Sequence, residues 1–182
     1  MGLNKGYLQS NTTVEGDEIY TPFYAVSPIL KYIPKDKKLW LPFDEDWSAY
    51  CQVFKENGYD YVNTGYDFFK TPTPDGIDLV VSNPPFSKKD HIIKECVERK
   101  VPFCLLLPIQ SLQGKTRYKY FKQLDSIQML CFDKRIAFHT NGDFKNYTKG
   151  TSFASVYIIG GVKLLPNDLV IEELEEFERV LK

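Results

Sequence analysis

At 182 residues, with 43% hydrophobic and 15% aromatic side chains, the chain is long enough to bury one sizeable core and short for two domains. Its formal net charge of −1 argues against a protein that coats nucleic acid nonspecifically, because such binding needs many lysines and arginines to displace counterions. Gly and Pro are scattered, as in an ordinary globular chain and not a disordered one.

The four cysteines, Cys51, Cys96, Cys104 and Cys131, stand far apart without a CxxC pair, and His91 and His139 lack partners at metal-ligand spacing, so no metal site is expected. Cys104 and Cys131 lie in the apolar runs Phe103 to Leu107 and Met129 to Phe132, where a reduced thiol serves as a small hydrophobe; that suits the cytoplasm. No charged-then-apolar leader opens the chain, and no apolar run approaches the roughly 20 residues that span a bilayer, so no membrane partner is expected.

Residues 1–19 are polar and weakly patterned and read as a flexible arm before a single domain over residues 20–182. Tyr20-Thr21-Pro22-Phe23 reads as an extended segment leading into a short helix from Pro22, capped by Thr21, with Val26, Ile29, Leu30 and Ile33 on its apolar side and Pro28 placed to kink it. Leu39-Trp40-Leu41 is an apolar run ended by Pro42. The acids of Phe43-Asp44-Glu45-Asp46 then precede Trp47, Tyr50 and Phe54 at helical spacing, giving strand, loop and helix. Gly58 stops that helix, and Tyr59 to Asn63 alternates as a second strand.

Ile77 to Val81 is a β-branched run that has to end at Ser82-Asn83-Pro84-Pro85, because proline donates nothing to a sheet ladder and restricts the residue before it. Ile92, Ile93, Cys96 and Val97 repeat at helical spacing. Val101 to Leu107, closed by Pro108, is so uniformly apolar that it suggests a parallel strand covered on both faces. Lys115 to Gln123 reads as a basic helix, Ile127 to Phe132 and Phe153 to Ile159 as strands, and His139 to Gly150 as a polar loop between them. Asn167 or Asp168 is placed to cap a last helix with Val170, Leu174, Phe177 and Leu181 on one face.

This alternation predicts an open α/β sheet, mostly parallel with helices on both faces, in which ligands bind at the carboxyl ends of the strands. Phe43-Asp44-Glu45-Asp46 and Asn83-Pro84-Pro85-Phe86 both fall at such ends, as a shared site requires.

The second of these tetrapeptides has a specific chemical use. An amino group on an aromatic base is a poor nucleophile because its lone pair is delocalised into the ring. If the Asn83 side-chain carbonyl and the Pro84 backbone carbonyl each accept one amino hydrogen, the nitrogen becomes more pyramidal and its lone pair can point at an electrophilic methyl carbon. Two prolines stiffen the backbone, and Phe86 offers a face on which a flipped base can stack. The same residues also make a good strand-terminating turn. Lys115, Arg117, Lys119, Lys122, Lys134, Arg135, Lys145 and Lys149 crowd one stretch of the chain, which fits contact with phosphates and equally a solvated surface.

Ser82-Asn83-Pro84-Pro85-Phe86, after an Asp-containing apolar strand, resembles the catalytic motif of S-adenosylmethionine-dependent DNA adenine (N6) amino-methyltransferases, in particular the small forms of bacteriophages and mobile elements. The likeness extends over most of the chain. It implies a Rossmann-like methyltransferase fold, S-adenosylmethionine as cofactor, DNA as partner, a bacterial or infected-host cytoplasm, and catalytic roles for Asn83, Pro84, Pro85 and Phe86. Tyr20-Thr21-Pro22 resembles the upstream cofactor segment, with Thr21 against the methionine carboxylate. Leu41-Pro42-Phe43-Asp44 sits where the first strand and cofactor loop belong, and Tyr66-Asp67-Phe68-Phe69 resembles the segment that meets the cofactor's adenine. The implied cofactor residues are therefore Tyr20, Thr21, Pro42, Phe43, Asp44, Asp67, Phe68 and Asn83. Phe103 to Pro108, Phe132 to Ile136 and Ser152 to Ser155 resemble the later strands and target-base loop, and Lys115, Arg117, Lys119 and Arg135 are candidates to touch nucleic acid.

Two departures from the family stand out. Its first loop usually carries glycines that let the backbone approach the cofactor, whereas Phe43 to Ser48 has none, and the acid that ends its second strand is replaced by Asn63 or Thr64. Asp44 or Asp46 can contact the methionine amino group or cap the next helix. Little length is left for a separate target-recognition domain, so target reading falls to loops, a specificity subunit or a second copy of the chain. RNA adenine, protein glutamine and a catalytically inactive nucleic-acid-binding role are the alternatives.

Overall fold

The computed structural model describes residues 19–64, 68–140 and 153–175. The expectations for the N-terminal arm, for Tyr66 and Asp67, for most of the 139–150 loop, for Ser152 and for Phe177 and Leu181 lie outside those residues.

The sheet grows outward in both directions from one strand. From β2 (Lys38–Leu41) the chain passes through α2 (Ala49–Glu56) to β3 (Asp60–Asn63), which lies parallel to β2. It then returns as β4 (Leu79–Ser82) on the other side of β2, also parallel, and continues through α3 (Lys89–Glu98) to β5 (Phe103–Pro108) beside β4. After α4 (Lys115–Phe121) come β6 (Ile127–Phe132), β8 (Ser155–Gly160) and β9 (Leu169–Glu172), and the full order is β3-β2-β4-β5-β8-β6-β9. β8 is antiparallel to both its neighbours, while β9 runs parallel to β6; one strand of the seven is reversed. A second, two-stranded ribbon pairs β1 (Ile19–Tyr20) with β7 (His139–Thr140).

Burial explains why these segments became strands. Every residue of β4, β5 and β8 is buried, which a strand achieves only when both faces of its sheet are covered. The helices supply that cover in two groups, α1 (Phe23–Val26) packing with α2, and α3 with α4. Each fully buried Leu or Phe contributes roughly 1.5–3 kcal/mol, so Leu105, Leu106, Leu107 and Phe103 alone anchor the centre of the molecule. The architecture is an open, mostly parallel, Rossmann-like α/β sheet, as the alternation of elements predicts.

Local chemistry sets several boundaries. Ser48 caps α2 by accepting the Cys51 N–H at 3.2 Å, and Gly58, at φ +70, ends it in the left-handed region. The helix expected from Pro22 is shorter than anticipated: α1 ends at Val26 and gives way to a 3-10 turn over Ser27–Lys31, with Pro28 in its first turn. Thr21 does not cap it; Pro22 occupies the cap position, without a side-chain bond, and Thr21 is buried.

The larger correction is at the C-terminal end. Residues 169–172 form an edge strand, not the first turn of a helix. Leu169-Val170-Ile171 is a β-prone run, and pairing with β6 satisfies its backbone, as in Met129 N–H to Asp168 O at 2.7 Å and Asp133 N–H to Glu172 O at 3.0 Å. Leu174 is fully buried just after the strand, its N–H donating to Asp133 Oδ1 at 2.9 Å. Among the described residues no helix is long and apolar enough to cross a membrane, and no group of three or more His, Cys, Asp or Glu is placed to hold a metal ion.

Candidate active site

The strand order reverses at β2: one crossover leads left to β3, the next connection leads right to β4. The crevice between the carboxyl ends of β2 and β4 is thus the topological switch point, where open α/β sheets bind ligands because the loops diverge there. Two loops border it, Pro42 to Ser48 after β2 and Asn83 to Phe86 after β4, and these are the two segments singled out in the sequence.

A buried hydrogen bond ties them together. Ser82 Oγ, the last residue of β4, donates to Asp44 Oδ2 at 2.6 Å. Burial pushes the Asp44 carboxyl up to about 6, against the opposing effect of hydrogen bonds from Ser82 and Ser48. A carboxylate in such a place is costly unless something cationic or hydrogen-bonding completes it. Helix capping falls to Ser48, so neither Asp44 nor Asp46 performs it. Among the described residues Lys100 alone departs from negative φ without being a glycine, so the loop after β2 turns with no left-handed residue and its path does not require glycine.

The walls of this loop are aromatic. Phe43 packs at 5.1 Å on Phe68, which is fully buried, lies 5.1 Å from Trp40, and carries Arg99 4.9 Å over its ring. Phe68 therefore forms the floor beneath the loop, and its neighbour Phe69 is the one that meets solvent, at 39% exposure. Pro42 is buried. Tyr20 reaches the same loop from β1, its ring edge-on to Trp47 at 5.1 Å, and stands opposite His139 in the ribbon.

After β4 the backbone is stiffened by its own covalent structure. Asn83 is half-buried with its side-chain oxygen enclosed, Pro84 is buried, and Pro85 leads into a 3-10 turn over Phe86–Lys88, closed by Lys88 N–H to Pro85 O at 3.0 Å. Phe86 lies edge-to-face with Phe138 at 6.4 Å and Phe153 at 5.4 Å, so two further aromatic rings brace the last residue of the motif.

The contacts place Tyr20 against the loop after β2, which carries Phe43 and Asp44, and tie that loop, through Ser82, to the strand that leads into Asn83 to Phe86; Asp67 is outside the described residues. The basic candidates divide. Lys115, Lys119 and Arg135 are exposed, whereas the Arg117 side chain is 12% exposed, ion-paired with Asp90 and bonded to Gln113 O, which locks α4 onto α3. Two residues gain partners that their place in the sequence does not announce. Ser82 holds Asp44, and its signal was a lone hydroxyl ending an apolar strand. Asn63 Nδ2 donates to Asp46 Oδ1 at 2.9 Å, bringing an acid over the end of β3, where the strand itself offers none.

No family model matches the chain, and no curated protein matches it. Among solved structures it is similar to a candidate class I S-adenosylmethionine-dependent methyltransferase from Listeria monocytogenes, with 13% identity, a TM-score of 0.49, and coverage of 93% of this chain and 69% of that one. A likeness of that size carries no functional weight beside the residues themselves.

Proposed function

We propose that this chain is an S-adenosylmethionine-dependent methyltransferase acting on the exocyclic amino nitrogen of adenine in DNA. The observation that carries the reading is the Asp44–Ser82 hydrogen bond at the switch point, which fixes an acidic loop against the strand end that presents Asn83-Pro84-Pro85-Phe86. The residues fit the cofactor. The buried, ionisable Asp44 is suited to its ammonium group, and the Asp46–Asn63 pair supplies polar acceptors over β3.

When bound, S-adenosylmethionine supplies an electrophilic methyl group on a positively charged sulfur. The chain's own work is orientation and electrostatics. The Asn83 side-chain oxygen and the Pro84 carbonyl accept the two amino hydrogens of the base, which localises the nitrogen lone pair for in-line attack. Phe86, braced by Phe138 and Phe153, sets the plane of the base. With that methyl donor bound, the Asn83 and Pro84 oxygens would stabilise the positive charge that develops on the amino nitrogen, and its surplus proton would pass to solvent.

Methyl incorporation from labelled S-adenosylmethionine, compared across duplex DNA, RNA and protein, tests this directly. Incorporation into DNA at adenine is expected; transfer confined to RNA or protein would replace the substrate, and no transfer to any of them would remove the activity.

A further inference from the structure

Immediately beyond Phe86 the surface opens into a groove of about 700 Å³ lined by Phe69, Ser87, Lys88, His91, Lys94 and Glu95. That volume lies within the roughly 300–1,000 Å³ of pockets that enclose small ligands, so it has room for a nucleotide. Its wall is an exposed aromatic ring held in place from behind: Phe69 stands edge-on to the buried Phe68 at 5.4 Å and 74°.

The charge of the groove is set by which ions are already neutralised. Lys94 Nζ lies 2.6 Å from Glu98 and 3.5 Å from Glu95, and Glu95 also pairs with Arg99 at 3.0 Å. Asp90, in the first turn of α3, is taken by Arg117. Lys88 is exposed, its Nζ lies 5.9 Å from the Phe69 ring centroid, and among the described residues no carboxylate pairs with it. The groove therefore offers an aromatic face and an ammonium that no carboxylate of the described residues compensates, next to the residue proposed to stack on the target base. S-adenosylmethionine bears a sulfonium and no phosphate, which a lysine repels; a nucleotide has both a base to stack and a phosphate to bind.

We infer that this groove holds a nucleotide flanking the target adenine, its base on Phe69 and its phosphate against Lys88. The assignment rests on nucleic acid being the substrate, and it separates strand binding from the methyl-transfer chemistry at Asn83.

The test is binding of a short labelled single-stranded DNA by fluorescence anisotropy over a range of salt, with S-adenosylhomocysteine affinity measured alongside. Phe69→Ala is expected to weaken DNA binding about tenfold while Phe69→Tyr restores it. Lys88→Gln, a surface change that leaves folding alone, is expected to reduce the slope of log affinity against log salt by about 0.7. S-adenosylhomocysteine affinity is expected to stay at the wild-type value in all three variants. Wild-type DNA affinity and salt slope in Phe69→Ala and Lys88→Gln would overturn the inference, as would failure of the wild type to bind DNA. Loss of S-adenosylhomocysteine affinity in Phe69→Ala would overturn it too, by giving the groove to the cofactor's adenosine. The methyl-incorporation assay reads the parent proposal separately: DNA binding through the groove without methylation would keep the groove and remove the activity.

Discussion

The two loops at the switch point are rigid for opposite reasons. After β4 the stiffness is covalent: two adjacent prolines fix their own φ and constrain Asn83 before them, whatever surrounds them. After β2 the stiffness is tertiary. The loop has neither Gly nor Pro between Phe43 and Ser48, and it is held by Ser82 on Asp44, by Phe68 beneath Phe43, and by Tyr20 against Trp47. A covalently stiff loop can present reacting groups without help, whereas a loop held by contacts can respond when a ligand changes those contacts.

The largest effect is expected where the stiff loop meets the chemistry. Asn83→Ala removes one of the two acceptors on the reacting amino group and is expected to lower methyl transfer by on the order of 100- to 1,000-fold, with thermal stability close to wild type. Single-turnover transfer and a melting curve check it. A variant with full activity would show that the prolines only terminate a strand.

A smaller and opposite signature is expected in the loop after β2. Burial raises the Asp44 carboxyl to about 6, so the folded chain holds that proton more tightly than the unfolded chain does. Between its ordinary range and about pH 6 the folded state binds more protons, and stability therefore falls as pH rises through that window and stays lower above it. Asp44→Asn keeps an acceptor for Ser82 but never ionises. It is expected to flatten this part of the pH–stability profile and to gain roughly 3 kcal/mol at neutral pH, about two pH units at 1.36 kcal/mol each. Denaturant melts of both proteins from mildly acidic to neutral pH measure it, and parallel profiles would mean that Asp44 is not desolvated in the way described. Such a cost retained in the native sequence fits a group kept for binding.

The same contrast explains what the sequence disclosed. Asn83-Pro84-Pro85-Phe86 was legible because its geometry is local, and β2, β4, β5 and β6 were legible because apolar runs bounded by Pro, Gly or polar residues become strands in almost any context. The Asp44–Ser82 bond joins residues 38 apart, so it depended on β2 and β4 becoming neighbours. Phe68 and Phe69 are chemically alike, and only the position of the core decides which is enclosed and which meets solvent. Arg117 reads as one basic residue among several until α4 docks on α3 and Asp90 claims it. For residues 169–172, Val170 and Leu174 fit a helix as well as Leu169 to Ile171 fit a strand; the open edge of β6 settled the choice.

Isothermal titration of the folded wild-type chain with S-adenosylhomocysteine tests the central claim, that the crevice between β2 and β4 holds a methyl donor beside Asn83, most directly. Saturable binding with one molecule per chain is expected, weakened about tenfold or more in Asp44→Asn, where a charge-assisted contact to the ligand's ammonium becomes a neutral one. A folded protein that binds neither this product nor S-adenosylmethionine would contradict the account.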